Sequence, residues 1–328
     1  MTFQSNDQLD FILENGEAWL QYAARKHILE EDEASLTALR QQALADPKIK
    51  ACLADITNYH SIRVTNHKNP DLPIHKLLFL LDIGLDDAPE IGMATAQILE
   101  HKDTNGVYQS LTNIPKHYGG TGEDVFGWCL CDAPLLLLAL LKAGVDYEQH
   151  IRHGVEYLAA FHKEGGFPCI ASQEFGKFRG PGRKDDCCPN ACLTMLKLLA
   201  AIPEYRGSAV AENTAMGLLS LWENSRERHP YMFYMGTDFR KLKAPTMWYD
   251  IVSVVETLSR FEAVVSDARF VEMLSLIKSK QDANGLFTPE SVYLKCKDWD
   301  FGQKKSPSPY LTYVCYRTFA RAEALQVG

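Results

Sequence analysis

The chain has 328 residues, of which 46% are hydrophobic and 23% charged, proportions that allow a folded chain of this length a sizeable core. Its formal net charge of -8 argues against nonspecific nucleic-acid binding over the whole surface, and no nucleic-acid partner is expected. The longest purely apolar stretch, around Ala133 to Leu141, falls far short of the ~20 residues a bilayer-spanning helix needs, so no membrane insertion is expected.

The first two segments, Gln8 to Glu30 and Glu33 to Tyr59, are rich in Ala, Leu, Glu, Gln and Lys. Apolar residues recur in them at three- and four-residue steps, as in Leu36, Leu39, Leu44, Ile49, Leu53 and Ile56, which predicts helices. A polar stretch follows from His60 to Asp71. From there to the C-terminus one unit recurs: a proline, an almost wholly apolar helix, a turn, and an amphipathic helix. The starting prolines are Pro73, Pro134, Pro189, Pro245 and Pro309, spaced by about 55 to 64 residues. Proline suits a first helical turn because its missing N–H would have had no partner there.

The apolar helices are predicted over His75 to Leu81, Leu135 to Lys142, Ala191 to Ala201, Trp248 to Phe261 and Tyr310 to Ala324. A helix apolar nearly all round is a buried one, so these form an inner row. Their partners, Pro89 to His101, Tyr147 to Phe161, Ala209 to Trp222 and Arg269 to Lys280, carry one apolar face and form an outer row. The expected architecture is all-α: a single domain over 1–328 built as an α/α toroid, with 1–60 as N-terminal helices closing the ring and 73–328 as repeats of about 58 residues. A closed ring covers each inner helix on both flanks, whereas an open solenoid would leave one side of the inner row wet.

Turns within a pair are short, while the returns from outer to inner helix are long, as from Lys163 to Cys188 and from Gln281 to Ser308. Long structureless loops in compact domains are usually functional or disordered, and in a ring all of these emerge at one end, where function is expected. The stretch Gly176 to Pro189, GKFRGPGRKDDCCP, is the most site-like. It delivers Arg179, Arg183, Lys184 and Asp186 to the start of an inner helix, where free backbone N–H groups favour an anion such as phosphate, diphosphate or carboxylate. Asp132, Asp186 and Asp250 each lie near the start of an inner helix and are candidate acid–base groups, with His117 a candidate proton shuttle. Arg240, Lys241, Asp300 and Lys304 add charge from the other loops, and Trp128, Trp248 and Tyr249 add aromatic surface for a ligand in a central cavity. Core packing and helix capping compete with these roles at every position.

Nine cysteines, an odd number with no regular framework, predict free thiols and a reducing compartment. The N-terminus, MTFQSNDQLDF, has no basic region followed by an apolar run, and a cytoplasmic protein is the expectation. No P-loop, GxSxG, HExxH or GxGxxG is present.

The outer helices end in a repeated phrase: KDTNGVY from Lys102 to Tyr108, HKEGGF from His162 to Phe167 and QDANGLF from Gln281 to Phe287. With the helix pairs, this resembles the squalene cyclase and protein prenyltransferase repeat from about Pro73 to the C-terminus, and the resemblance implies an α/α toroid with a central cavity. Its activity motifs match less well. There is no DxDD cluster, only the DxD of Asp298 and Asp300. The prenyltransferase pattern of basic residues followed by Asp-x-Cys is matched by Arg183, Lys184, Asp186 and Cys188, which implies the first two zinc ligands, but Leu311 stands at the expected histidine. No cofactor is therefore assigned, with zinc on Asp186 and Cys188 as the weaker option. The reading is an enzyme of unassigned reaction binding an anionic small molecule, with an isoprenoid diphosphate as the implied ligand. A carbohydrate-active enzyme with paired carboxylates and a noncatalytic scaffold are the alternatives.

Overall fold

A computed structural model describes residues 6–180, 183, 186–230 and 232–327. The chain is 56% helical, with one two-stranded sheet among the described residues. It separates into two compact units, one made of 1–52, 82–85 and 235–328, the other of 53–81 and 86–234.

In the second unit (53–81 and 86–234) the apolar segments form the expected helices, Pro73–Asp82, Ala133–Lys142 and Pro189–Ala201, each beginning at or next to its proline. Ala133–Lys142 packs on Pro189–Ala201, which in turn packs on Ala209–Asn224. Leu136, Leu137, Leu140, Leu196, Leu198 and Leu199 are at most 0% exposed, as a helix without a polar face requires. Ala209–Asn224 buries only one face, through Ala211, Ala215, Leu218, Leu219 and Trp222, and Ser208 caps it by accepting from the Ala211 N–H. The segment expected as one amphipathic helix from Tyr147 is a π turn, Tyr147–Ile151, followed by Arg152–Ala159.

The loop between Pro89–Glu100 and Ala133–Lys142 holds the only sheet described, the antiparallel pair Ser110–Asn113 and Asp124–Gly127. Beyond it, Leu130 N–H donates to Ile170 O, and Ser172 N–H donates to Trp128 O at 2.8 Å. Thr194 Oγ1 donates to Leu130 O at 2.6 Å. These bonds pin the segment Trp128 to Leu130 on both sides.

The first unit (1–52, 82–85 and 235–328) contains Asn6–Asn15, Ala18–His27 and Glu33–Ala45 from the N-terminal part, and Ile251–Leu258, Ala268–Lys278 and Pro309–Val327 from the C-terminal part. Asn6–Asn15 packs on Pro309–Val327, and Ile251–Leu258 packs on both Ala268–Lys278 and Pro309–Val327. Trp19 is fully buried against Trp299 and Tyr310, with ring centroids 5.5 Å away in each case. Glu256 is buried and ion-paired with Arg260 and Arg321, the latter at 3.2 Å, so its charge is compensated. The expected helix starts differ here in one place. Pro245 lies in the loop, and the helix expected from Trp248 begins at Ile251, where Asp250 accepts from the Ser253 N–H at 2.9 Å. The predicted N-terminal helices are also subdivided, at Gly16 and before Pro47, where a proline cannot continue the preceding helical ladder.

The repeated phrase that follows Pro89–Glu100 and Ala268–Lys278 has a physical basis. Asp103 Oδ1 accepts from the N–H of Asn105 and of Val107, both at 2.9 Å, and Asp282 Oδ1 accepts from Asn284 and Leu286 at the same distance. Each turn passes through a glycine at positive φ, Gly106 at 78° and Gly285 at 78°, where a side chain would be strained. Each then delivers a fully buried aromatic, Tyr108 and Phe287.

Candidate functional site

The short sequence Cys129-Leu130-Cys131-Asp132 forms the tight turn into the Ala133–Lys142 helix, closed by Asp132 N–H and Ala133 N–H donating to Cys129 O at 3.1 and 2.9 Å. Leu130 is buried in the core, and Cys129 and Cys131 on either side of it are half-buried. Asp132 does not cap its helix. Its Oδ1 accepts from the Cys129 N–H at 3.0 Å and lies 3.4 Å from the Cys129 thiol.

His67 arrives from the turn before Pro73–Asp82. Asn66 shapes that turn, its side chain accepting from Lys68 N–H at 3.0 Å and its carbonyl from Asn69 N–H at 3.0 Å. His75, on the first turn of the helix, donates from Nε2 to the His67 carbonyl at 2.8 Å. The result brings His67 Nε2 to 3.4 Å from Cys129 Sγ and 3.7 Å from Asp132 Oδ2. The ligand atoms of His67, Cys129 and Cys131 all lie within 4.8 Å of one another. Asp132 Oδ2 is buried and has no hydrogen-bond partner. The His67 side chain is 25% exposed, and Cys129 and Cys131 are half-buried residues.

A second ring of groups surrounds this centre. The Cys131 thiol is hydrogen-bonded with Cys129 and Cys188, and Asn190 also bonds to it. Cys188 is in turn hydrogen-bonded with Cys169. Hydrogen bonds from Cys129 and then Cys188, helped by the His67 charge and Asn190, hold the Cys131 thiol well below the ordinary range against the opposing effect of burial. The Cys129 and Cys188 thiols are pushed up, each chiefly by its hydrogen bond to Cys131. For His67, burial is the largest influence and lowers its pKa, but the Asp132 carboxylate and Cys131 outweigh it and raise it to about 9. His75 is pushed down to about 4, mainly by burial, with the His67 and Lys197 charges acting the same way, so it stays neutral. Burial and the Asp132 charge raise the Tyr59 phenol, which remains protonated.

The other sequence-predicted residues are placed as follows. Asp186 pairs with Arg228 at 3.5 Å, away from Cys188, whose thiol belongs to the Cys131 group. Asp186, Glu164, Cys187, Asn224, Glu227 and Arg228 line an open cleft of about 520 Å³ beside the Pro189–Ala201 helix. Arg179 and Arg183 are exposed, and Lys184 lies outside the described residues. His117 is exposed on a short turn, its ring 4.1 Å from that of Tyr118. Trp128 is buried against Tyr157 and Phe161, and its indole N–H donates to Asp103 Oδ2 at 2.9 Å. In the other unit, Asp250 is buried and caps its helix, Tyr249 is buried beside Phe239, and Trp248 is half-buried. Arg240 donates to Met235 O at 3.2 Å, and Lys241 pairs with Asp238. Asp300 Oδ2 accepts from the Ser308 hydroxyl and from Tyr310 N–H at 2.9 Å, fastening the start of Pro309–Val327, while Lys304 is exposed.

Neither the protein-family models nor the curated proteins contain a significant match to this chain.

His67 is the member of the centre that the sequence reading passed over, because it stands in the polar stretch His60 to Asp71, 62 residues from Cys129. The available signal was the Cys-x-Cys-Asp at a helix start, which already supplies three donor side chains and lacks only an imidazole.

Proposed function

We propose that this chain is an enzyme of α/α-toroid architecture that acts on a small molecule, and that its reactive centre is the group His67, Cys129, Cys131 and Asp132. The observation that carries this reading is the convergence of two thiols and a carboxylate on one imidazole nitrogen, with Cys129 Sγ at 3.4 Å and Asp132 Oδ2 at 3.7 Å from His67 Nε2, in a largely buried centre whose imidazole is 25% exposed. Groups of this kind supply nucleophiles, general acids and bases. The ligand class is the one the repeat resemblance implies, an isoprenoid diphosphate. Its anionic end is assigned to the loop carrying Arg179, Arg183 and Lys184 rather than to the cleft, because the carboxylates of Glu164, Asp186 and Glu227 outnumber Arg228 there.

The paired-carboxylate reading has less support. Asp132 is engaged with Cys129 and His67, Asp186 with Arg228, and Asp250 and Asp300 each with a helix start.

The test is isothermal titration of the full chain with farnesyl diphosphate, followed by mass spectrometry of the recovered ligand. Arg183→Ala weakens binding about tenfold, the loss expected for one charge-assisted phosphate contact. Asp132→Asn and Cys131→Ser bind normally but leave the ligand unconverted. Absence of binding by the unmodified chain removes the ligand class, and unchanged conversion by both variants removes the assigned centre.

A further inference from the structure

The same four side chains can be read one step further, an inference that rests on taking this group as the reactive centre. In a triad of thiol, imidazole and acid, the thiol and the acid engage opposite ring nitrogens, so that one receives a proton while the other orients the ring. Here the thiol and the acid face the same nitrogen: Cys129 Sγ is 3.4 Å and Asp132 Oδ2 3.7 Å from His67 Nε2. One nitrogen lone pair cannot serve as a base for one group while its N–H is oriented by the other. It can, however, stand beside both around a common centre. Zinc bonds of about 2.3 Å to sulfur and 2.0 to 2.2 Å to nitrogen or oxygen set the donors of a tetrahedral site roughly 3.3 to 3.8 Å apart. The His67–Cys129 distance falls in that range, the ligand atoms of His67, Cys129 and Cys131 all lie within 4.8 Å of one another, and Asp132 Oδ2 stands 3.7 Å from the same nitrogen.

A second observation points to the same occupant. The Asp132 side chain is only 3% exposed, its Oδ1 is held by the Cys129 N–H, and its buried Oδ2 makes no hydrogen bond and has the His67 imidazole facing it at 3.7 Å. Leaving a buried carboxylate oxygen without a donor is costly, and a cation removes that cost. The supports that metal ligands usually have are also present: the His67 backbone is fixed by His75, the Cys129 turn by Asp132 Oδ1, and the Cys131 sulfur by Asn190 and the Cys188 thiol.

We propose that His67 Nε2, Cys129 Sγ and Cys131 Sγ hold a single divalent cation of the zinc type, with the fourth position left open beside the Asp132 carboxylate. The two sulfurs select a soft or borderline ion over magnesium or calcium. This residue set is distinct from Asp186 and Cys188: the Asp186 carboxylate is directed to Arg228, and Cys188 supports the site from outside through Cys131.

The experiment uses tag-free full-length chain, purified under reducing, anaerobic conditions and stripped with chelator. Zinc is added back and counted by plasma mass spectrometry after gel filtration, and cobalt is added to a parallel sample. The expected result is one equivalent of zinc and, with cobalt, the visible bands of a tetrahedral ion together with thiolate charge-transfer absorption. Cys129→Ser and Cys131→Ser each lower affinity by about a hundredfold and weaken the charge-transfer band, while Asp132→Asn lowers affinity about tenfold. Cys187→Ser, outside the centre, leaves both readouts unchanged. Circular dichroism of each variant separates lost metal from lost fold. No retained metal in the folded chain, or equal retention by the folded Cys129→Ser and Cys131→Ser variants, which would mean an adventitious metal only, overturns the proposal. Metal bound without farnesyl diphosphate binding leaves the site standing and removes the ligand assignment, and the opposite outcome does the reverse.

Discussion

Asp250 and Asp132 each stand one residue before a helix, Ile251–Leu258 and Ala133–Lys142, and both are buried, yet they do different work. Asp250 accepts from the N–H of Ser253, the third residue of Ile251–Leu258, and so caps its helix. The Asp132 side chain gives nothing to Ala133–Lys142. The second residue of that helix is Pro134, which has no N–H to offer, and the N–H of the third, Leu135, donates to the Asp132 backbone carbonyl at 2.9 Å. With the demand for a cap reduced, the Asp132 side chain is free to turn toward Cys129 and His67. Where proline enters the first turn, the aspartate becomes available for chemistry. Where proline lies six residues earlier, as Pro245 does before Ile251, the aspartate is used to hold the helix.

Acid should separate the two regions most strongly. His75, which fastens the His67 turn, has its pKa lowered to about 4 in the folded chain, against an ordinary value of 6.5. Between those values the unfolded chain takes up a proton that the folded one does not, so the stability this group contributes is fully present above pH 6.5 and is lost as pH falls toward 4. The loss is on the order of 3 kcal/mol. Urea denaturation at pH 7 and pH 4.5, compared with the same pair of measurements on His75→Gln, should show a smaller acid loss in the variant. An identical loss in both would mean that other groups control acid sensitivity.

The aspartates themselves give the next effect. Asp250→Ala should cost about 1 to 2 kcal/mol as a lost buried cap. Above about pH 9, where the His67 imidazole no longer depends on the carboxylate charge, Asp132→Asn should cost less than about 1 kcal/mol, because the amide oxygen still accepts from the Cys129 N–H, while the metal affinity falls. Thermal denaturation of the metal-free variants decides the order, and a larger loss for Asp132→Asn would break the comparison drawn above.

The smallest effect is expected at Arg228. Its side chain is 86% exposed and its contact with Asp186 is 3.5 Å, so Arg228→Ala should change stability by less than about 0.5 kcal/mol. A loss above 1 kcal/mol in the same melts would show that the cleft is held together by this pair.

The helices were legible because their signal is local. The apolar runs LLLLALL and LTMLKLLAA are buried as expected, and the phrase ending QDANGLF forms the same aspartate-anchored turn as KDTNGVY. The interruptions at Gly16 and before Pro47 were also local, but a helical apolar period continues through both and hides them. The centre was half legible. Cys129, Cys131 and Asp132 lie within four residues and could be recognised together, while His67 joins them only through the tertiary contact that His75 and the Asn66 turn arrange. Trp128 shows the opposite difficulty: its place at a helix start suggested a ligand-facing ring, and only packing reveals the indole against Tyr157 with its N–H on Asp103.

The division of the chain between its two units also bears on how it is made. The unit containing the cysteine centre is drawn from 53–81 and 86–234, so all of its parts have been synthesised once Tyr234 is added. The other unit needs the helix Asn6–Asn15 to meet Pro309–Val327, a closure over a long stretch of chain that must wait for Pro309–Val327 to leave the ribosome. During translation the early helices therefore spend a long interval without their partner, and the buried faces of Trp19 and Leu20 are what a chaperone would have to shield in that interval.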